Sequence, residues 1–187
     1  MTLTTRSSLL GQLREDDEEV WSEFCRFYTP YLIRVAGRLG LRGQDVDDMV
    51  QGVLVDLYQC RAEFRYDRAT GRFRHYLKKA AIARLAKWLR AARRAGNLTK
   101  DPPERTVDDY ERVWEAEYRQ HILREALARV RQEVEPKTYQ AFDLYALQGV
   151  KPGKVARFLG ISKAAVYTYK ARVVERLRAI VQELTAD

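Results

Sequence analysis

The stretch VARFLGISKAAVYTYKARVVERLR, Val155–Arg178, combines a short apolar helix pattern, a glycine and a longer helix pattern. Pro152 favours a helix start just before it, and Gly160 favours a tight turn directly after Leu159. Ser162 can cap the helix that follows the turn. This stretch therefore predicts two helices joined by a tight turn, which is a helix-turn-helix unit.

The second helix of this unit has an apolar side and an exposed side. Val166 and Val173 are spaced to pack against Val155 and Ala156, and the small Ala156 lets the helices approach closely. In a helix-turn-helix unit the second helix lies in the DNA major groove. The residues left to face bases or phosphates are Lys163, Ala164, Ala165, Tyr167, Thr168 and Lys170. A helical hairpin that does not bind DNA is the alternative.

The net charge of +8 is concentrated in two segments of an otherwise acidic chain. Residues 61–100 contain thirteen Lys and Arg against two acidic residues, and residues 151–178 contain eight against one. Charge that served solubility alone would be spread more evenly, so two basic segments indicate two surfaces for a polyanion. Because the second segment coincides with the helix-turn-helix unit, nucleic acid is the expected ligand.

Helical periodicity extends over nearly the whole chain, and no segment has a convincing strand pattern. We predict an all-α fold of two small helical domains, residues 1–94 and 110–187, joined by a linker at residues 95–109. The linker has a glycine, two adjacent prolines and no apolar periodicity. Before the helix-turn-helix unit, the second domain is expected to form helices at about 110–133 and 136–147.

The first domain is predicted to contain several helices, one with an acidic start. A helix at about 7–13 precedes one that starts near Asp16, and Pro30 ends or kinks this second helix before 31–39 continues as another. The acidic helix starts at Asp45, which can act as its cap, with Asp47 and Asp48 in the first turn.

The last helix of the first domain lies in GRFRHYLKKAAIARLAKWLRAARRAG, Gly71–Gly96. On a helical wheel one arc is apolar and the opposite arc is cationic. The apolar arc contains Phe73, Leu77, Ala81, Leu85, Trp88 and Ala92, and the cationic arc contains Lys79, Lys87, Arg90, Arg93 and Arg94. Two residues break the pattern, because Tyr76 falls on the cationic side and Arg84 on the apolar side, from which its long side chain would have to reach outward. Trp88 is expected in the core.

No motif for catalysis, for a cofactor or for a metal stands out. Cys25 and Cys60 lie in apolar periodic segments without a CxxC pair, which favours reduced core thiols. Asp45, Asp47 and Asp48 could bind Mg²⁺ in a nuclease, but such sites usually take carboxylates from several elements. The chain shows no signal-peptide pattern and no apolar run of membrane-span length. We therefore expect a cytoplasmic protein without enzymatic activity or cofactor.

Taken together, these features resemble the bacterial RNA polymerase sigma factors of the extracytoplasmic-function (ECF) type. DVDDMVQGVLVDLYQ is similar to the family's acidic-start helix with an Asp-x-x-Gln core, and FRHYLKKAAIARLAKWLRAARR to its Phe-Arg-x-Trp-Leu helix with a basic tail. VARFLGISKAAVYTYKARVVERLR is similar to its helix-turn-helix. The resemblance implies a region 2-like first domain that binds core RNA polymerase and opens the −10 promoter element. It implies a region 4-like second domain that binds the −35 element.

The resemblance also assigns roles to residues. The polymerase-binding residues would be Asp48, Gln51 and Asp56. The residues at the opened −10 element would be Arg65, Tyr66, Arg72, Tyr76, Lys78, Lys79, Lys87, Arg90, Arg93 and Arg94. The residues at the −35 element would be Lys163, Ala164, Ala165, Tyr167, Thr168, Lys170 and Arg172. Tyr66 and Tyr76 would stack on unpaired bases, and the Lys and Arg side chains would contact phosphates.

Four residues depart from the family pattern. Gly52, Tyr76, Ala83 and Lys87 stand where Glu, Trp, Asn and Asp are usual, which bears on polymerase affinity and promoter preference. Many relatives are controlled by an anti-sigma partner, and the two-domain organisation would permit one here. The alternative function is a two-domain DNA-binding regulator that does not bind RNA polymerase. That alternative leaves the pairing of the Asp48–Gln51 helix with a basic aromatic helix unexplained.

Overall fold

The computed structural model describes residues 17–60, 72–94 and 107–185. Within these ranges the chain forms α-helices, one π-helical turn and no strand, so the prediction of an all-α fold is confirmed. The elements are α1 (Glu18–Arg38), α2 (Gln44–Cys60), α3 (Arg72–Arg94), α4 (Val107–Glu133), α5 (Pro136–Phe142), the π-helical turn (Asp143–Leu147), α6 (Pro152–Leu159) and α7 (Lys163–Thr185). None of the described helices has the length and apolar character needed to cross a membrane. The predicted helix at about 7–13 and the predicted linker up to residue 106 lie outside the described residues.

The chain divides into two compact units, Met1–Gln120 and His121–Ala186. The division falls inside α4, whereas the sequence pattern places the start of the second domain at residue 110. The difference arises because Trp114, which is 1% exposed, packs within the first unit. A pattern of apolar residues along one helix does not reveal which neighbours they contact. The boundary in the structure therefore lies closer to the C-terminus than the boundary predicted from the sequence.

Helix α1 is a single helix that includes Pro30. The sequence predicts that Pro30 ends or kinks the helix, because proline removes a backbone N–H donor at a cost of about 3 kcal/mol. The buried residues lie on both sides of the proline and include Phe24, Tyr28, Tyr31 and Val35. Burial of a large side chain contributes about 1.5–3 kcal/mol, so several such side chains on one continuous face offset the lost hydrogen bond.

Helix α2 packs against both α1 and α3. A turn with positive φ at Gly40 and Gly43 reverses the chain between α1 and α2. The core residues on α2 and α3 are Met49, Val50, Val53, Leu57, Leu77, Ala81 and Leu85, each no more than 4% exposed. Their spacing of three and four residues is the one that the sequence pattern indicates.

The beginning of α4 is held to α1 by an aromatic contact and a hydrogen bond. The rings of Tyr31 and Trp114 meet edge to face with their centroids 4.8 Å apart. The Tyr31 hydroxyl donates a hydrogen bond to the carbonyl oxygen of Trp114 at 3.1 Å. Glu117 is also buried, and its carboxylate pairs with Arg34 and Arg38 of α1. Residues 107–120 are therefore an integral part of the first unit.

The second unit contains the predicted helix-turn-helix. Val155, Ala156 and Val166 form its buried cluster together with Ala141 of α5. Gly160 ends α6 in the left-handed conformation at φ 62°, a conformation that glycine adopts without strain. Ser162 Oγ accepts a hydrogen bond from the Ala165 N–H at 3.0 Å, so it caps α7 as predicted.

Candidate nucleic-acid and protein interfaces

The exposed side of α2 carries a stripe of polar and then apolar side chains. Asp48 and Gln51 are both exposed, and Asp48 Oδ1 accepts a hydrogen bond from Gln44 Nε2 at 2.9 Å. Val55 and Tyr58 continue the stripe at helical spacing and are 50% and 42% exposed. Exposed apolar groups beside hydrogen-bonding groups are the usual components of a protein-binding surface.

Asp56 lies on a different side of α2, next to α3. Its Oδ2 atom is 3.6 Å from Nη1 of Arg84. The Arg84 guanidinium lies over Gly52, where an added Cβ atom would overlap Nε, Cζ and Nη2 of the arginine. Glycine thus leaves the space through which Arg84 reaches Asp56. Of the three predicted polymerase-binding residues, Asp48 and Gln51 share an exposed surface, and Asp56 instead joins α2 to α3.

A second polar contact joins α3 to the start of α2. The indole Nε1 of Trp88 donates a hydrogen bond to Asp45 Oδ1 at 3.0 Å. Because α2 begins at Gln44, Asp45 lies inside its first turn rather than at the predicted cap position. Trp88 is half-buried rather than in the core as the sequence predicts, and its hydrogen bond joins α3 to α2.

The outer face of α3 combines one aromatic ring with two lysines. Tyr76 is half-buried, while Lys79, Ala83 and Lys87 are exposed, and all four lie at helical spacing along one face. The small Ala83 leaves the surface between the lysines open. A positively charged surface with an aromatic ring suits single-stranded nucleic acid, which offers phosphates and unstacked bases together.

Lys78 points to another side of α3, where it contacts α4. Its Nζ is 3.0 Å from Glu111 Oε1, and the Lys78 side chain is 16% exposed. The predicted DNA-binding role of Lys78 therefore competes with an ion pair inside the first unit. Glu111 is 48% exposed, so water weakens this pair.

Several other predicted −10 residues are not placed by the structure. Arg65 and Tyr66 lie outside the described residues. Arg72, Arg90, Arg93 and Arg94 belong to α3, but their side chains are not described. Their assignment stays a prediction.

The predicted −35 residues share the beginning of α7. Lys163, Ala164, Tyr167, Thr168, Lys170 and Arg172 are exposed, and Ala165 is half-buried. Thr168 Oγ1 donates a hydrogen bond to the Ala164 carbonyl at 3.2 Å, so its oxygen remains available as an acceptor. The exposed surface can present one aromatic ring, one hydroxyl and several positive charges to a ligand.

Not every basic side chain in the second basic segment is available to a ligand. Arg176 donates hydrogen bonds to Glu133 and Glu183. The hydrogen bond to Glu133 is the main cause that raises the pKa of the Arg176 guanidinium. This arginine therefore ties α7 to the end of α4 within the second unit.

Tyr145 lies beside the exposed residues at the beginning of α7, although the sequence pattern did not single it out. Its ring meets the ring of Tyr167 edge to face, with centroids 5.5 Å apart. The Nζ of Lys170 lies 5.5 Å from the centroid of the Tyr145 ring. Tyr145 is in the π-helical turn, far from α7 in sequence, so spacing along one helix could not have revealed the contact.

No group of three or more His, Cys, Asp or Glu is placed to hold a metal ion among the described residues. The acidic first turn of α2 has other contacts, because Asp45 accepts a hydrogen bond from Trp88 and Asp48 accepts one from Gln44. The carboxylates of this turn therefore make hydrogen bonds to neighbouring side chains at the start of the helix.

Residues 26–95 match the family model described as Sigma-70 region 2. The match includes most of α1 and all of α2 and α3, and it agrees with the sigma-factor resemblance of the sequence in these helices. Among solved structures, the chain is similar to one titled "Structure of CnrH in complex with the cytosolic domain of CnrY", at 18% identity and a TM-score of 0.40. The alignment covers 96% of this chain and 98% of that chain. No curated protein gives a significant match.

Proposed function

We propose that this chain is a sigma factor of the ECF type that binds core RNA polymerase, recognises promoters and helps to open them. The observation that carries the proposal is the Sigma-70 region 2 match over residues 26–95, which include the exposed stripe of α2 and the outer face of α3. The helix-turn-helix of the second unit supports it, because a sigma factor needs a second contact with duplex DNA. In this function the protein has no catalytic activity of its own.

The polymerase would bind the exposed stripe of α2. Asp48 and Gln51 offer hydrogen-bonding groups, and Val55 and Tyr58 offer apolar area beside them. Asp56 is assigned to the contact with α3, because its carboxylate is paired with Arg84. The docking surface is therefore proposed to run from Asp48 toward Tyr58 rather than to include Asp56.

The outer face of α3 would hold the unpaired strand of the −10 element. Lys79 and Lys87 can contact phosphates, and Tyr76 can stack on a base. Stacking contributes about 1–3 kcal/mol per base and offsets part of the cost of unpairing. Lys78 is proposed to act only after its ion pair with Glu111 is released.

The beginning of α7 would enter the major groove of the −35 element. Tyr167 and Thr168 can reach base edges, while Lys170 and Arg172 can contact phosphates. Ala164 is small enough to lie against a thymine methyl group. Few of these side chains make bidentate contacts to bases, so DNA shape is expected to contribute to recognition. An anti-sigma partner stays a prediction that no residue here identifies.

Polymerase binding is tested by titrating the full chain against bacterial core RNA polymerase. The combined Asp48→Lys, Gln51→Ala variant should weaken binding at least about tenfold, because an unfavourable charge in an interface typically costs more than 1.4 kcal/mol. Glu175→Lys is the control, since it makes the same change of charge at an exposed position in the second unit. Equal binding by all three proteins would contradict the proposed surface.

A DNA preference separates the proposal from its alternative. A sigma factor bound to core polymerase should prefer a forked promoter with an unpaired −10 strand to the fully paired duplex. A DNA-binding regulator should prefer the duplex and should not bind core polymerase. Strand cleavage that depends on Mg²⁺ would contradict both functions and indicate a nuclease instead.

A further inference from the structure

We propose that Tyr145 is a positioning residue of the DNA-binding surface, which holds the side chains of Lys170 and Tyr167 in place before DNA arrives. This inference rests on the proposed binding of α7 to the −35 element. It adds to that proposal a residue outside α7 that prepares two of its contacts.

The first observation is that Tyr145 is itself held in position. It is half-buried and packs against the buried cluster formed by Ala141, Val155, Ala156 and Val166. It lies in the π-helical turn, where the Gln148 N–H donates to the Asp143 carbonyl at 2.9 Å, five residues back along the chain. Single π-helical turns are rare and frequently occur at functional sites.

The second observation is that two exposed residues of α7 converge on this one ring. The ammonium of Lys170 lies over the ring at 5.5 Å from its centroid, within the range of a cation–π interaction. The Tyr167 ring meets it edge to face at 5.5 Å, a favourable aromatic geometry. Both side chains are exposed and sit on the surface proposed to meet DNA.

The consequence concerns the entropy of binding. An exposed lysine loses the freedom of its long side chain when it contacts a phosphate, and this ordering opposes binding. A lysine already held over a fixed ring loses less. Tyr145 therefore raises DNA affinity by preorganising Lys170 and Tyr167, without needing to touch DNA itself.

The test uses the full chain and a labelled duplex recovered by selection from a randomised pool with the wild-type protein. Binding is measured by fluorescence anisotropy over a series of salt concentrations. Tyr145→Leu keeps apolar packing but removes the aromatic face, and it should weaken binding by roughly three- to tenfold. Tyr145→Phe keeps the ring and should bind within about twofold of wild type.

Lys170→Ala sets the scale of the experiment, because it removes the charge that the ring is proposed to hold. It should weaken binding and lower the slope of log K against log salt by about one. Tyr145→Leu should then have a clearly smaller effect in the Lys170→Ala protein than in wild type, because one of its two partners is gone.

The possible outcomes separate this inference from the proposed function. Weak binding by Lys170→Ala with normal binding by Tyr145→Leu would overturn the role of Tyr145 and leave the DNA-binding role of α7 intact. Normal binding by Lys170→Ala and by Tyr167→Ala would overturn the proposed role of α7 itself. Equal loss in Tyr145→Phe and Tyr145→Leu would assign the effect to the hydroxyl group and would also overturn the inference.

A further variant keeps the test decisive if Tyr145→Leu does not fold, which the melting temperature of each variant would reveal. Tyr145→Trp offers the aromatic face that attracts cations most strongly. It should bind DNA at least as tightly as wild type, with an unchanged salt slope. Weaker binding by a folded Tyr145→Trp protein would count against the proposal.

Discussion

Gly52 has no side chain, and the Arg84 guanidinium fills the space that a Cβ would take. An α-helix interior ordinarily favours alanine over glycine by about 0.5–1 kcal/mol. At this position that gain competes with the displacement of Arg84, whose flexible side chain would move and lose its contact with Asp56. The two effects should nearly cancel in the wild-type background.

We therefore predict that the effect of Gly52→Ala depends on whether Arg84 is present. In wild type it should change the free energy of unfolding little, whereas in an Arg84→Ala protein it should stabilise the fold by about 0.5–1 kcal/mol. Urea unfolding followed by tryptophan fluorescence measures both values. The same stabilisation in both backgrounds would show that Arg84 does not occupy the space above Gly52.

Cys25 gives a residue-scale prediction that depends on pH. Burial raises the pKa of the Cys25 thiol above its ordinary value. The protonated thiol, which the fold favours, contributes stability below the unfolded pKa, and this contribution is lost as pH rises through the folded pKa. In a Cys60→Ser protein, the remaining thiol should react with a thiol reagent more slowly when folded than in urea. The reaction rate of the folded protein should increase with pH around a higher midpoint than that of the unfolded protein. Identical pH–rate profiles for the folded and the unfolded protein would contradict the prediction.

At the scale of the element, α4 depends on Trp114. This side chain is 1% exposed, and its contact with Tyr31 connects the start of α4 to α1. Removal of a buried tryptophan typically costs about 3–5 kcal/mol, because the cavity is not refilled. We predict that Trp114→Ala destabilises the first unit by this amount in urea unfolding.

The control for this prediction is Arg119→Ala on the same helix. Arg119 is exposed, and substitutions at such positions usually change stability by no more than about 0.5 kcal/mol. Trp21 and Trp88 still report on the first unit by fluorescence after Trp114 is removed. Similar values for the two variants would mean that residues 107–120 are not anchored by Trp114.

The same scale explains why α1 passes through Pro30. Proline opposes helix formation locally, but the helix on either side contributes buried residues to one core. Local preference is a weak term when several large side chains are buried on a continuous face. The sequence predicts a break in the helix at Pro30 from local preference alone, and tertiary packing keeps the helix continuous.

At the scale of the whole molecule, the division between Gln120 and His121 can be tested with fragments. A fragment of residues 1–120 should have a clearly higher melting temperature than one of residues 1–106, because only the longer one contains the contacts of Trp114 and Glu117. A fragment of residues 121–187 should fold, and extension to residues 107–187 should add little stability. The opposite pattern would place residues 107–120 in the second unit and favour the boundary predicted from the sequence.

Much of this architecture is available from the sequence alone. Apolar residues at helical spacing mark α2, α3 and α7, and the glycine and serine around residue 160 mark the turn of the helix-turn-helix. These features are local, because spacing, capping and turn formation depend on residues a few positions apart. The sequence also contains the basic segments and the aromatic residues on which the proposed DNA surfaces depend.

The tertiary structure alone decided which side chains meet across elements. Arg84 breaks the apolar pattern of α3 in sequence, and only the packing of α3 on α2 shows that Gly52 makes room for it. Likewise, only the fold brings the Tyr145 ring next to the ammonium of Lys170. Only the fold shows that Trp114 packs within the first unit. Such contacts join residues far apart in the chain, and their energies depend on burial and distance, which no repeating pattern along a single helix encodes.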